Sequence, residues 1–178
     1  MKKMMLLFFC LLSCAGFAQE ERATWGSVIK LPKNREARGI LGKGGQSFYL
    51  LQLPSGRKEK NISIEKFSSI NLNSEAKIDI PLEETDDYKT VYEDLYLLND
   101  RLILFASRYS REKRTHSAYA IVLNTELQQQ GDWKEIDSYN IESSRSTGTY
   151  SFSTGPGDSL LLVKRHMPGA KDDLRKYY

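Results

Sequence analysis

Four cations fall within seven residues at Arg108, Arg111, Lys113 and Arg114, against Glu112 alone, and this is the strongest local charge bias in the chain. If the chain turns there, such a cluster can meet an anionic ligand or a polysaccharide. It can equally be a solubilising tip that protects a sheet edge. The two histidines, His116 and His166, stand at no metal-ligand spacing with another His, Cys or carboxylate cluster, and read as a hairpin residue and a strand-end residue. Glu83-Glu84-Thr85-Asp86-Asp87 offers oxygens, but without the alternating Asp, central Gly and distal Glu of a calcium loop it reads as a solvated connector. The glycines of Gly39 to Ser47 miss the spacing of a phosphate loop and suit a hairpin turn. Ser143 to Gly148 supplies hydroxyls without a nucleophile elbow, and Asn61-Ile62-Ser63 is a formal glycosylation sequon. No catalytic residue, cofactor or metal is assigned on these patterns.

The elements that would carry these residues are strands. Leu95 to Leu98, the polar pair Asn99-Asp100, Leu102 to Phe105, a charged tip and the run Tyr119 to Leu123 read as strand, tight turn, strand, long hairpin, strand. Earlier, Trp25 to Leu31 reads as a strand closed by Pro32 and a charged loop over 33–38, followed by strands at Ser47 to Leu53, Ile62 to Phe67 and Lys77 to Ile80. Tyr88, Val91, Tyr92, Leu95 and Leu98 also fit a helical spacing after Asp86-Asp87. A strand is expected there because Leu95 has counterparts in segments too rich in Gly, Ser and Thr to be helical.

Those counterparts define a repeat. Ile40, Leu50 and Ile64 precede Leu95, Phe105 and Tyr119 by 55 residues each, and Phe152, Val163 and Tyr177 follow at 57, 58 and 58. Turn residues Gly44-Gly45, Asn99-Asp100 and Gly157-Asp158 lie before the second strand of each copy. The expected organisation is one β-repeat domain over 19–178 with units at about 38–80, 93–138 and an incomplete 150–178. A period of this size holding four strands is close to that of a β-propeller blade, about 40 to 50 residues.

Met1 to Ala18 has the build of a leader, with Lys2 and Lys3 ahead of the apolar run Met4 to Leu12. Cleavage after Gly16-Phe17-Ala18 would leave a mature chain without cysteine, since Cys10 and Cys14 are the only two. The alternative is a lipobox at Leu11-Leu12-Ser13-Cys14, with Cys14 lipidated. The mature chain would carry 24 basic against 23 acidic residues, which argues against nucleic acid as a partner. No further apolar run reaches transmembrane length.

Phe152-Ser153-Thr154-Gly155-Pro156-Gly157-Asp158-Ser159-Leu160-Leu161-Leu162-Val163 resembles the turn-and-strand signature of WD40-like, or TolB-type, β-propeller repeats. Its turn reads Gly-Pro-Gly-Asp where those repeats have Pro-Asp-Gly, and Trp133 follows Asp132 in the reverse of a Trp-Asp ending. The resemblance implies an all-β fold of antiparallel four-stranded units, an incomplete propeller of about two and a half blades. The expected function is an exported interaction module for a protein or glycan partner, the N-terminal part of a longer protein whose C-terminal blades are missing. Two alternatives stand beside it: the propeller portion of a larger secreted hydrolase, and a small β-barrel binding an apolar ligand.

Overall fold

The computed structural model describes residues 28–42, 45–55, 61–141, 147–155 and 160–167. Among them there is no helix, and the chain is all-β. β1 (Arg35–Leu41), β2 (Ser47–Pro54), β3 (Asn61–Ser68) and β4 (Ser74–Pro81) form one antiparallel sheet in chain order. β5 (Tyr88–Leu98), β6 (Arg101–Ser110), β7 (Thr115–Asn124) and β8 (Lys134–Asn140) form a second of the same order. β9 (Thr149–Thr154) and β10 (Leu161–His166) pair as a third. Among the described residues the sheets do not close into the small barrel considered above; two four-stranded sheets and the two-stranded one form an open arrangement.

The second sheet lies in the middle, which explains its composition. The run Leu102-Ile103-Leu104-Phe105 lacks polar alternation because both faces of β6 are covered. Leu102 and Leu104, with Leu95, Ile121 and Leu123, pack on Tyr49, Leu51, Ile62 and Ile64 of the first sheet. Phe105 and Ala118 face the other way, onto Tyr150 and Phe152 of β9. The Phe105 and Phe152 rings stack at 4.3 Å between centroids, an aromatic contact joining two sheets.

Polar groups add ties across both interfaces. Tyr49 donates its hydroxyl to the Thr125 carbonyl at 3.0 Å, and Lys66 Nζ reaches Glu126 at 2.8 Å, linking the first sheet to the segment after β7. On the far side Arg165 of β10 makes a bidentate pair with Asp137 of β8. Tyr96 places its hydroxyl 2.7 Å from Asp94 Oδ2 and 2.6 Å from the Phe152 carbonyl oxygen, and burial helps push it up to about pKa 12.

The tight turn at Asn99-Asp100 is a two-residue hairpin with φ of 47° and 58°, the left-handed pair that matches strand twist. The segment over 88–98 is a strand throughout and not the competing helix. The opening strand differs from expectation. Residues 28–31 are not in a strand, and β1 begins at Arg35, inside the stretch read as a charged loop. β1 is an edge strand, so Glu36 and Arg38 can sit in water without spoiling the core, and charge density there says nothing against a strand.

β1 to β4 and β5 to β8 share the same antiparallel chain-order topology, and Phe152 and Val163 sit on β9 and β10 as a directly paired couple. The register between the two four-stranded sheets is not one fixed offset. Gly39 pairs with Leu51, whereas Asp94, 55 residues later, pairs with Phe105, so Leu51 and not Leu50 is the counterpart of Phe105. Likewise Leu51 pairs with Ile64 and Phe105 with Ala120, which sets Ile64 against Ala120 and not Tyr119. A shift of one residue exchanges sheet faces, so only the paired ladders could correct it. The leader over 1–18, Cys14, Gly44, Gly157-Asp158, Ser143 to Ser146 and Tyr177 lie outside the described residues.

Candidate functional site

β1 and β5 each carry a bulge. The pairing of β1 with β2 shifts between Ala37 and Gly39, and that of β5 with β6 between Tyr92 and Asp94. The extra residues are Arg38 and Glu93, each on a strand at the edge of its sheet. A bulge bends the strand and re-aims a side chain, and here both residues border a cavity of about 580 Å³ between the first two sheets, beside Leu51, Tyr92 and Asp94.

Glu93 also borders a second cavity, of about 540 Å³, over the opposite face of the second sheet. Its floor is Glu93 with Ser107, Tyr109 and His116, and its walls are the connector 84–87 and residues 147–149 leading into β9. This is within the size range of small-molecule sites, about 300 to 1,000 Å³. Cross-strand pairing assembles the floor: Tyr109 sits opposite His116, and Ser107 opposite Ala118, so Ser107, Tyr109 and His116 share one face.

The polar groups here are held in defined states. Ser107 donates its hydroxyl to Glu93 Oε1, and no cation pairs with Glu93 among the described residues. Burial raises the Glu93 carboxyl above the usual range; the Ser107 hydrogen bond opposes that and the nearby Asp94 charge adds to it. His116 is 5% exposed, and its Nδ1 lies 2.9 Å from both the Tyr139 hydroxyl and the Thr147 carbonyl oxygen. Since a carbonyl only accepts, Nδ1 carries the hydrogen, while the Tyr139 hydroxyl donates to the same carbonyl at 2.8 Å. Burial pushes the imidazole below its ordinary value against the opposing pull of Thr147, so it is neutral at pH 7. Nε2 then bears a lone pair, with no hydrogen bond among the described residues.

Chemically this is an acceptor-rich surface. Ser107 donates its hydrogen bond to Glu93 and not to His116, so the imidazole does not activate that hydroxyl as a nucleophile. Among the described residues no three His, Cys, Asp or Glu side chains converge as metal ligands.

The basic cluster read from the sequence separates in space. Arg111 and Arg114 stand in the exposed turn between β6 and β7 with Lys113, and Arg111 reaches the rim of the cavity. Arg108 is not on the tip: it lies inside β6, its guanidinium 4.2 Å from the Tyr88 ring centroid and 4.7 Å from that of Tyr119, with Nη2 3.2 Å from Glu83. The acidic connector also has structural work. Asp87 accepts from the Glu112 backbone N–H at 2.7 Å and from Ser110 at 2.8 Å, which fixes the turn and, with the Glu112 bond foremost, lowers its carboxyl.

His116 is a buried strand residue and not a hairpin one, and His166 ends β10 with Nε2 2.9 Å from Ser151 Oγ. Neither Glu93 nor Ser107 was singled out in the sequence. Their sequence neighbours, Asp94 beside Glu93 and Arg108 beside Ser107, gave no signal that would separate them from ordinary exposed strand residues. A scan against protein families and searches of curated proteins and of solved structures find no match for this chain.

Proposed function

We propose that this chain is an exported, non-catalytic binding module of β-propeller type, working at or outside the cell envelope, and that it takes its partner in the cleft over Glu93, Ser107 and His116. The observation that carries the reading is the cleft floor. A half-buried carboxylate without a cation and a buried imidazole with a free Nε2 line a polar cleft beside the apolar contact of the second and third sheets, and acceptors left open in a concave site suit a ligand that supplies donors. Export rests on the leader-like composition of residues 1–18, and the propeller reading on the shared chain-order topology of the two four-stranded sheets.

The test has two arms. A reporter fused behind residues 1–18 should leave the cytoplasm of the native host, and retention inside the cell overturns the export. Peptide and glycan panels probed with the wild-type protein should yield binders that His116→Phe and Glu93→Ala lose. Binders indifferent to both changes, or none at all, overturn the cleft as the binding surface.

A further inference from the structure

The cleft has a definite chemical bias, and we infer that it receives a small organic cation bearing N–H donors, an ammonium or guanidinium group either free or as a basic side chain. This rests on the reading of the cleft as a binding site and adds the class of its ligand. Three observations converge on it.

The first is the supply of acceptors. With Nδ1 of His116 committed as a donor to the Thr147 and Tyr139 oxygens, Nε2 of this cavity-lining residue carries only a lone pair. Glu93 Oε1 is taken by Ser107, while Oε2 has no hydrogen-bond partner among the described residues. The Ser107 oxygen, with its hydrogen directed to Glu93, can itself accept through its lone pairs. Ligands with N–H donors and no acceptors complement such a set; a carboxylate or phosphate does not.

The second is charge. Glu84, Asp86, Asp87 and Glu93 border the cavity against Lys89 and Arg111, and His116 is uncharged, so the lining is net negative. Arg111 is on the exposed turn at the rim, whereas Glu93 is in the half-buried floor, which places the negative charge at the deeper end. A buried carboxylate lacking a counter-charge gains most from an entering cation.

The third is geometry. Ser107 and His116 sit on adjacent strands of one face as a diagonal pair, about 7 Å apart at Cβ by ordinary sheet spacing. Glu93 reaches Ser107 from the bulge on the other side. A cation with several N–H donors seated over Ser107 would have the carboxylate on one side and the imidazole on the other. Tyr109 adds an aromatic ring to the floor, a side chain of the kind that attracts cations.

The experiment is an amide NMR titration of the exported protein at pH 7 and constant ionic strength with n-butylammonium, N-acetyl-lysine methylamide, tetramethylammonium, butan-1-ol and butyrate. The two N–H-bearing cations should move the resonances of Glu93, Ser107 and His116. Tetramethylammonium, which has no N–H, should bind at least tenfold more weakly, and the alcohol and the anion should leave those resonances in place. Tighter binding of the lysine derivative than of butylammonium assigns the group to a basic side chain; equal binding assigns it to a free amine. Glu93→Gln should weaken both cations tenfold or more, and Glu93→Asp should keep the order of ligands while preserving the charge. If the alcohol or butyrate moves these resonances and the cations do not, the cleft is a site and the inferred ligand class is wrong. If none of the five does, the cleft itself falls as a binding surface.

Discussion

Arg38 and Glu93 are equivalent residues of opposite charge: each is the extra residue in the bulge of the first strand of its sheet, and they stand 55 residues apart in the sequence. A bulge conserved between two sheets of one chain sets which residues face the neighbouring layer, since every position before it is turned over relative to those after it. Deleting Glu93 should turn residues 88–92 over and expose buried Thr90, at a cost of about 3 kcal/mol or more. Glu93→Ala keeps the count and should cost no more than about 1 kcal/mol. Urea unfolding of the two variants distinguishes them, and equal midpoints would sink the argument that the bulge sets the register.

The contact between the second and third sheets concentrates in Phe105 and Phe152. Phe105 is 1% exposed and its ring stacks on Phe152, so Phe105→Ala should destabilise by about 3 to 5 kcal/mol. Combined with Phe152→Ala in a double-mutant cycle, the pair should show a coupling of about 0.5 to 1.5 kcal/mol. A coupling of zero would mean that the third sheet does not rest on this ring.

Arg108 should behave unlike the three cations near it in sequence. Its planar guanidinium lies between the Tyr88 and Tyr119 rings and bonds Glu83 and Thr90, geometry that a lysine ammonium cannot reproduce. Arg108→Lys should cost about 1 kcal/mol. Alanine at Arg111 or Lys113 in the exposed turn should stay within about 0.5 kcal/mol. Thermal melts of the three variants make the comparison, and equal shifts would return Arg108 to the surface cluster.

The contrast between Arg108 and its neighbours shows what was legible in the sequence. Apolar runs such as Leu102 to Phe105 and turn pairs such as Asn99-Asp100 act locally, so the all-β class, most of the strands and the antiparallel four-stranded sheets could be read without coordinates. The site could not, because its members meet only through pairing across three strands and a bulge. Glu93 reaches Ser107 over 14 residues of chain, and His116 meets Thr147 over 31. The same reason explains the offset error at Phe105 and Tyr119: spacing along the chain counts residues, while a bulge changes which face each one occupies. Arg108 looked like a tip residue since four cations in seven positions say nothing of which ones a strand has drawn inward.

Glu93 and His116 should give stability opposite dependences on pH. The native Glu93 carboxyl has its proton affinity raised above the ordinary value of 4.5, so the fold gains from this group when it is protonated. That contribution is complete below the unfolded value and is lost as pH rises through the raised native one. His116 is depressed below its ordinary 6.5, so its contribution is present above that value and is lost as pH falls through the native one. The windows approach each other from either side, and only variants separate them. Glu93→Gln removes the alkaline loss, so its stability relative to wild type should rise from about pH 4 to pH 8. His116→Gln removes the acid loss, and its deficit against wild type should shrink as pH falls below about 6.5. Urea midpoints across that range decide the matter. If both variants run parallel to the wild type, neither group is held in the cleft in the protonation state that its surroundings dictate.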